Sequence, residues 1–394
     1  MSGHVDAGSP GDRLDGADPE TVRSAIETGN PLPGTAGFAG ELDGRLVRDV
    51  LGRRPVFVAG DSWAFDPTPL ADPVPVPAGT VRSLDADRAS GADSAPADCH
   101  WILPTVDPET DDERALATVR EAVLDRTRRV GGDGPDGPSD GSVAVAFSGG
   151  VDSAVVAAGV PDAPCYVAGY EGCHDVAAAR EAAEAMDREL RVVEITHEDI
   201  RERIPDLAAA TGRTNPMDLA IALPLFLVGE RAAADGFDRL ALGQGADELF
   251  GGYAKVAKAP DDPRVEAGTV RGARRELLGT IPDQAERDVL ALRAAGVEPV
   301  TPLLHDDVVA AALSLPGHLL VDGDERKVAL RESARGIVPE LVRTADKKAV
   351  QYGTYVAREL DRLARQAGYK RRMDDHVERY VQSLVDESGS DERA

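Results

Sequence analysis

The sequence predicts an α/β fold: a doubly wound parallel sheet with additional helices toward the C-terminus, preceded by a small β-rich domain. Short apolar strands alternate with helical segments between residues 142 and 242, and this alternation is typical of a parallel sheet covered on both faces. From about residue 270 to 385 the pattern is mostly helical. Residues 37–105 contain short apolar pieces separated by proline and glycine, which indicates short strands and loops.

The same patterns divide the chain into five parts. We expect a loose N-terminus rich in small and polar residues, the β-rich region, a helix with a linker, the α/β domain and an acidic tail. The expected bounds are 1–36, 37–105, 106–141, 142–385 and 386–394.

A capping-box pattern marks the start of the helix in the third part. Thr110 is followed by Glu113, a spacing that lets two side chains satisfy the first amide groups of a helix. The apolar residues that follow recur at helical spacing and are Leu116, Val119, Val123 and Leu124. Residues 131–140 are Gly, Asp, Pro and Ser, and we interpret them as a linker.

Four strands and three helices are expected in the α/β domain up to residue 242. The apolar runs that read as strands cover 143–147, 165–168, 191–195 and 237–242. The segments that read as helices cover 154–160, 175–190 and 219–234.

Composition argues against nucleic-acid or membrane binding. The chain has 394 residues, 44 basic and 70 acidic, and its formal net charge of −26 repels phosphate backbones and anionic lipid. The longest apolar run, 219–228, is about half of the ~20 residues that a membrane-spanning helix needs. The first residues contain neither a basic segment nor an apolar stretch, so we expect no secretory signal and a cytoplasmic location.

Lysine is scarce, since only six of the 44 basic residues are lysine. Acid excess of this kind resembles the proteins of salt-loving archaea, where molar salt shortens the Debye length to about 3 Å and screens self-repulsion. Compositional drift in a GC-rich genome is the alternative. The three cysteines, Cys99, Cys165 and Cys173, fit a reducing compartment, and their spacing supports neither a disulfide framework nor a zinc site.

The clearest motif lies directly after the first expected strand of the α/β domain. Residues 148–153 read Ser-Gly-Gly-Val-Asp-Ser, and a helix follows. Adjacent glycines allow the backbone to approach a ligand, and the helix N-terminus favours an anion such as phosphate. Asp152 cannot bind an anion directly, so it indicates a bridging cation, most simply Mg²⁺. The alternative is an ordinary Gly-Gly turn with Asp152 as a helix cap.

A second loop, residues 242–253, follows the fourth expected strand and carries Asp247 and Glu248 between pairs of glycines. Loops at the carboxyl ends of parallel strands meet at one edge of the sheet, so Asp247 and Asp152 could share a metal at a switch point. A solvated acidic surface loop is the alternative.

These motifs resemble known families. The segment 148–153 resembles the pyrophosphate loop of the ATP-pyrophosphatase superfamily, which has an adenine-nucleotide α-hydrolase-like fold, cleaves ATP to AMP and pyrophosphate, and adenylates a substrate. The segment 243–253 resembles the Gly-Glu-Gly-Ala-Asp-Glu-Leu-Phe-Gly-Gly-Tyr signature of asparagine synthetases. Segments 215–217, 301–304, 327–331 and 347–353 also resemble that family, over about residues 110–365.

The resemblance implies an ATP- and Mg²⁺-dependent ligase. Such an enzyme adenylates the β-carboxylate of aspartate, and ammonia then displaces AMP to give asparagine. The residues implied to hold the phosphates are Ser148, Gly149, Gly150, Asp152 and Ser153, and those implied to contact adenosine are Phe147, Ala168, Leu242 and Gly243.

The resemblance also assigns the catalytic residues. Asp152 and Asp247 are implied to hold Mg²⁺ and pyrophosphate, and Lys347 is implied to offset charge during adenylation. The spacer before Lys347 is longer than usual, so Lys348 is the substitute candidate. Two further departures are Gln244, where the family usually has glutamate, and His305, where it often has aspartate.

The front of the chain departs most. Glutamine-using members of the family have a nucleophilic cysteine at position 2, where this sequence has Ser2. Segments 46–57 and 75–79 still resemble that glutaminase domain, so we interpret 37–105 as a reduced form of it. Direct use of ammonia is therefore expected. A separate glutaminase and a homo-oligomer stay possible. The alternative functions are an amidoligase with another acyl acceptor and a non-catalytic nucleotide-binding protein.

Overall fold

A five-stranded parallel sheet forms the centre of the fold in a computed structural model that describes residues 12–84, 99–132, 142–170, 172–258, 268–345 and 352–391. Along the chain the strands are β1 (Arg13–Asp15), β2 (Ala39–Leu42), β3 (Arg45–Arg48), β4 (Phe57–Ala59), β5 (Ser62–Ala64), β6 (Val74–Pro75), β7 (Val81–Ser83), β8 (Val143–Ala146), β9 (Cys165–Gly169), β10 (Leu190–Glu194), β11 (Arg239–Ala241), β12 (Glu298–Val300), β13 (Val321–Asp322) and β14 (Glu325–Arg326).

The helices flank these strands. In chain order they are α1 (Pro19–Thr28), α2 (Asp112–Arg129), α3 (Val151–Gly159), α4 (His174–Ala185), α5 (His197–Thr211), α6 (Pro216–Ala234), α7 (Ala246–Phe250), α8 (Ala254–Lys258), α9 (Val270–Leu278), α10 (Ile281–Ala294), α11 (Asp306–Leu313), α12 (Gly317–Leu320), α13 (Val328–Ser333), α14 (Glu340–Arg343), α15 (Tyr352–Gln366) and α16 (His376–Asp391). A short 3₁₀ helix covers Pro302–Leu304.

The order of strands in the parallel sheet is β10-β9-β8-β11-β12. The chain therefore winds outward from β8 in one direction, and later from β11 in the other. Strands β8 and β11 are paired neighbours, with Ala241 opposite Val145. This is the topological switch point at which α/β proteins bind ligands, beyond the carboxyl ends of the strands. The predicted doubly wound parallel sheet is confirmed.

Alternate residues of the central strands face two separate cores. Val145 and Val167 pack into a core that includes α2 and α3, whereas Ala144 and Tyr166 pack into a core that includes α5 and α6. Burial on both faces explains why these strands are nearly continuous apolar runs in the sequence.

Strand β12 was not predicted, because it has only three residues and contains Pro299. It lies at the edge of the sheet. Glu298 N donates to Asp238 O at 2.8 Å, and Leu242 N donates to Val300 O at 2.9 Å. Pro299 stands between these two bonded positions, so its missing N–H costs no hydrogen bond to β11. Helix α5 also had no counterpart among the sequence predictions, although Thr196 and Asp199 form a capping box at its start.

The N-terminal part differs from the expected loose segment within residues 12–36. Strand β1 pairs with β2, and helix α1 is capped by Asp18, which accepts a 2.9 Å hydrogen bond from Thr21 N. Val22 and Ala25 of α1 are buried. Residues 13–83 contribute two small antiparallel sheets, with strand orders β1-β2-β3-β7 and β5-β4-β6.

Helix α2 begins one residue later than the sequence pattern indicated. Asp111, not Thr110, is the cap, and it accepts a hydrogen bond from Arg114 N at 3.2 Å. The buried positions follow a spacing of four and are Ala115, Val119, Val123 and Thr127. The predicted face is therefore rotated, because Leu116 and Leu124 are only partly buried. Most of the expected linker, residues 133–140, lies outside the described residues.

Helices long and apolar enough to cross a lipid bilayer are absent from the part of the chain that the structure describes.

Candidate nucleotide-binding site

The loop between β8 and α3 is closed by its two serines. Ser148 N donates to Ser153 Oγ at 3.1 Å, and Ser153 Oγ lies 3.2 Å from Gly150 O. Gly149 has a φ of +76°, and a Cβ there would lie 2.8 Å from Ala178 O. The position therefore needs glycine for two reasons, its backbone conformation and its contact with α4. Gly150 begins α3 without a side-chain cap, so the first amide groups of the helix are available to an anion.

The loop after β11 touches the first loop. A Cβ on Gly243 would lie 2.8 Å from the carbonyl carbon of Asp152, so only glycine lets the two backbones come this close. The next glycine, Gly245, has a φ of +88° and packs against the side chain of Leu304. Helix α7 follows at once and presents Asp247 in its first turn. The two acidic residues that the sequence placed on separate loops are thus brought to one place.

Lys327 lies between these two carboxylates. Its Nζ donates to Asp152 Oδ2 at 2.5 Å and lies 2.7 Å from Asp247 Oδ1. The lysine side chain is 3% exposed, whereas each aspartate side chain is 21% exposed. The ammonium is therefore enclosed, and the carboxylates form its open side.

The backbone is specialised to deliver this lysine. Lys327 has a φ of +60°, a conformation that few residues other than glycine adopt, at the start of α13. A Cβ on Gly252 would lie 1.7 Å from Asp247 Oδ1 and 2.3 Å from Lys327 Cε. The glycine thus leaves room for the ion pair. Arg326 Nη1 donates to Gly252 O at 2.7 Å and ties the two segments together.

The carboxylates keep Lys327 charged. Burial alone would lower the pKa of its ammonium, but the charges of Asp152 and Asp247 outweigh burial and raise that pKa above its ordinary value. One positive charge therefore faces two negative charges, and the cluster is acidic as a whole.

The two aspartates suit Mg²⁺ in the presence of a polyphosphate. Mg²⁺ is commonly held by one or two carboxylates together with substrate phosphates. Asp152 Oδ1 is buried and has no hydrogen-bond partner among the described residues, so it has capacity for a further ligand. Within the described part of the chain, no group of three or more His, Cys, Asp or Glu side chains is placed to hold a metal ion. A cation on the two aspartates would therefore need the phosphates as further ligands.

Two adjoining cavities open beside the loops and share Ala146, Ser148 and Leu225. The larger, about 280 Å³, is mostly apolar, and its further lining residues are Phe147, Tyr166, Val167, Ala168, Ile221, Pro224 and Val228. The smaller, about 210 Å³, is the more polar of the two, and its further lining residues are Asp152, Ser153, Leu242, Gly243, Gln244 and Asp288. An apolar cavity next to a more polar one matches a ligand with an aromatic ring at one end and charged groups at the other.

Gln244 is hydrogen-bonded to a further carboxylate of the smaller cavity, that of Asp288. Its Nε2 donates to Asp288 Oδ2 at 2.6 Å, and Arg287 Nε donates to Asp288 Oδ1 at 2.7 Å. Burial raises the pKa of Asp288, and the nearby positive charge of Arg287 opposes that shift. The site therefore contains a buried carboxyl group on α10 that the loop motifs did not indicate.

Glu248 has a different role from its neighbour Asp247. It is 3% exposed and accepts a hydrogen bond from the hydroxyl of Tyr253 at 2.6 Å. Burial raises the pKa of Glu248. Of the two adjacent acidic residues, one faces the site and the other stabilises the turn.

Comparison with known proteins identifies the family. The sequence profile described as asparagine synthase matches residues 138–289 and 262–392, which together exceed half of the chain. The chain belongs to the asparagine synthase family.

Relatives of this family member come from distant organisms. A putative asparagine synthetase (glutamine-hydrolyzing) 1 from Methanocaldococcus jannaschii is 27% identical over 282 residues, 62% of this chain and 52% of that protein. Asparagine synthetase B (glutamine-hydrolyzing) from Escherichia coli is 25% identical over 235 residues, 55% of this chain and 42% of that protein. The matches thus span about half or less of these relatives' length. A solved structure of the U34-tRNA thiolase NcsA from Methanococcus maripaludis aligns over 69% of this chain and 80% of that chain at 14% identity with a TM-score of 0.27, and bears on neither fold nor function.

The sequence assigned a set of residues to nucleotide binding, and most of them surround the same pair of cavities in this asparagine synthase family member. Phe147 and Ala168 border the apolar cavity. Ser148 borders both cavities, and the polar one is also lined by Asp152, Ser153, Leu242 and Gly243. Gly149 and Gly150 form the turn, and Asp247 meets Asp152 through Lys327.

The two candidate catalytic lysines, Lys347 and Lys348, lie outside the described residues. The segment just before them is anchored by Arg331. Its Nη1 donates to Arg343 O at 2.5 Å, and its Nη2 donates to Ala345 O at 3.0 Å. The catalytic role assigned to Lys347, with Lys348 as the substitute, stays a prediction.

Sequence reasoning missed Lys327 and Asp288 as site residues. Lys327 had a usable signal, because it is one of only six lysines and lies in a segment already matched to the family. Asp288 had none, since it is one of several charged residues on an ordinary helix.

Proposed function

We propose that this chain is an ATP-dependent asparagine synthetase that adenylates the β-carboxylate of aspartate and transfers ammonia to it. The observation that carries the proposal is the Asp152–Lys327–Asp247 cluster, which lies at the sheet's switch point beside the paired cavities. A cationic group and two potential metal ligands at the end of a phosphate-type loop suit transfer of a nucleotidyl group.

In this proposal the adenine ring occupies the apolar cavity between β8, β9 and α6, where Phe147 and Ala168 lie. The phosphates extend along Ser148 and Ser153 to the first amides of α3. Asp152 and Asp247 hold Mg²⁺, which when bound offsets the negative charge of the phosphates. The ammonium of Lys327, which lies between these carboxylates, adds a positive charge to the same site.

The chemistry follows in two steps. A carboxylate oxygen of aspartate attacks the α-phosphorus of ATP, the bond to the bridging oxygen breaks, and pyrophosphate leaves. Ammonia then attacks the acyl carbon of β-aspartyl-AMP, AMP leaves with the carbon–oxygen bond electrons, and the nitrogen loses one proton. Lys347 is proposed to offset the charge that develops on the α-phosphate, with Lys348 as the substitute.

Ammonia is proposed as the direct nitrogen source. The three cysteines in the sequence are Cys99, Cys165 and Cys173, and the latter two are buried in the α/β domain. Strands β1 to β7 pack onto that domain through buried contacts such as the 2.8 Å ion pair between Arg53 and Asp306. That packing supports a structural role for residues 12–84. A separate glutaminase remains compatible with the proposal.

The test is a product assay with the purified chain in molar KCl, supplied with ATP, Mg²⁺, aspartate and either ammonium or glutamine. The expected result is equal amounts of AMP, pyrophosphate and asparagine with ammonium, and no asparagine with glutamine when free ammonia is scavenged. AMP release with another carboxylate but not with aspartate would show a different amidoligase. No AMP release across a panel of carboxylates would contradict the enzymatic proposal altogether.

A further inference from the structure

The two site aspartates are held together by a residue of the chain itself. Asp152 Oδ2 and Asp247 Oδ1 each contact the single Nζ of Lys327, at 2.5 and 2.7 Å. Two carboxylates so close to one another repel, and the ammonium between them offsets part of that repulsion. The lysine therefore supplies, between the two carboxylates, positive charge of the kind that a divalent cation would supply there.

The lysine and a cation compete for the same oxygens. Mg²⁺ binds oxygen at about 2.0–2.1 Å, so a cation on these atoms would lie within a few ångströms of the ammonium, and the two positive charges would repel each other. Asp152 Oδ1 is the buried oxygen that the lysine leaves without a partner among the described residues. Lys327 is also held in a left-handed backbone conformation with a φ of +60°, which is a cost that functional sites retain and most other positions do not.

We propose that Lys327 is a displaceable counter-ion: it fills the cation position between Asp152 and Asp247 until nucleotide arrives, and then moves to the phosphates as the metal takes the carboxylates. This inference rests on the proposed use of ATP and Mg²⁺ at this site. Its consequence is that a divalent cation binds tightly only together with the nucleotide.

The charge balance gives the reason. Two carboxylates and one ammonium leave a net charge of about −1, so they attract a free divalent cation less than two unpaired carboxylates would, and the cation must also compete with the lysine. A polyphosphate that enters with the cation provides the displaced ammonium with a new partner. Without the lysine, two unpaired carboxylates would attract a free cation strongly.

The experiment measures Mn²⁺ binding to the full chain in molar KCl by electron paramagnetic resonance, without aspartate or ammonium. For the native chain we expect weak binding of Mn²⁺ alone and at least ~10-fold tighter binding with the non-cleavable analogue α,β-methylene-ATP. For Lys327→Met we expect binding of Mn²⁺ alone to tighten at least ~10-fold, and Lys327→Met combined with Asp152→Asn should lose that gain. The matched control is Lys370→Met, which removes an exposed lysine and should leave Mn²⁺ binding unchanged.

Equal Mn²⁺ affinity in the native chain and in Lys327→Met would overturn the counter-ion proposal, as would a similar gain in Lys370→Met. Should Lys327→Met fail to fold, as judged by thermal unfolding, the comparison of the native chain with and without the analogue decides, and tight binding of Mn²⁺ alone overturns the proposal. Because no asparagine is measured, a chain that shows the expected binding but makes no asparagine would contradict only the proposed function.

Discussion

Gln244 donates a hydrogen bond of 2.6 Å from its Nε2 to Oδ2 of Asp288. This places an amide, and not a second carboxylate, against a buried acid whose pKa is raised by burial. An amide donates to Asp288 without adding a second negative charge beside it, whereas two carboxyl groups at this distance would have to share a proton.

We predict that Gln244→Glu makes stability depend on pH. The new pair of acids would have a folded-state pKa above the unfolded value. The folded state would then retain a proton that the unfolded state releases, and so stability relative to the native chain should fall as pH rises above the unfolded carboxyl pKa of about 4. The expected loss in Tm between pH 5 and pH 8 is about 2 °C or more beyond that of the native chain.

The matched control for this change is Gln382→Glu. Gln382 also donates to an aspartate, Asp386, at 2.9 Å, but on the exposed surface of α16. Solvent screens like charges there, so its Tm difference should be nearly independent of pH. If the Tm difference between Gln244→Glu and the native chain did not change with pH, residue 244 and Asp288 would not interact as closely as their burial indicates.

Asp152→Asn and Asp247→Asn should each lower the rate of pyrophosphate release at least roughly tenfold, equivalent to about 1.4 kcal/mol of transition-state stabilisation. Each change removes one of the two charges that meet at Lys327 and one proposed metal ligand. The measurement is steady-state pyrophosphate release at saturating aspartate and ammonium. Asp162→Asn, on an exposed turn after α3, is the control, and near-native rates in either site variant would contradict a shared metal.

Lys347→Ala should lower kcat far more than it raises the KM for ATP, because a charge that acts on the α-phosphate matters mainly in the transition state. Lys348→Ala should have a mild effect on both constants. The two variants serve as controls for each other, since they remove the same charge from adjacent positions. The opposite pattern would transfer the role to Lys348 and show that the alignment across the longer spacer was wrong.

Arg53→Met should destabilise the protein by about 3–5 kcal/mol, because it leaves two buried carboxylates without their cation. Arg53 is buried between Asp49, at 2.8 Å, and Asp306, also at 2.8 Å. Its Nη1 also donates to Leu304 O at 2.6 Å, and the Leu304 side chain packs against Gly245 of the second acidic loop. We therefore expect the KM for ATP to rise as well.

Denaturant unfolding and ATP titration of Arg53→Met test that prediction together. The control is Arg23→Met, which removes an exposed arginine paired with Asp43 at 2.8 Å and should cost far less stability, because solvent screens that pair. A loss of stability in Arg53→Met no larger than in the control would mean that residues 12–84 do not support the site through this ion pair.

The sequence by itself determined the fold class and the two loops of the site. Apolar runs of four or five residues that alternate with helices are specific to a sheet buried on both faces, and β8 to β11 were predicted from them to within two residues. The glycines at 149 and 243 were also recognised in advance, because they belong to the two loop motifs, but the neighbouring backbones that make glycine necessary there are seen only in the structure. Local pattern is sufficient for the strands and for the motifs, since both are contiguous in the sequence.

Only the tertiary structure decided which distant residues complete the site. Lys327 reaches Asp152 across 175 positions of sequence, and Asp288 reaches Gln244 across 44. Nothing in the local sequence shows that either side chain reaches the site. Lys327 enters the site through a left-handed backbone conformation, and Asp288 enters it from the neighbouring helix α10. Strand β12 and the buried Arg53–Asp306 pair are likewise consequences of where chain segments meet. A buried charge needs a partner of opposite charge, and the packing of distant segments decides which residue that partner is. Hydrophobic periodicity and local propensity therefore do not predict such pairs.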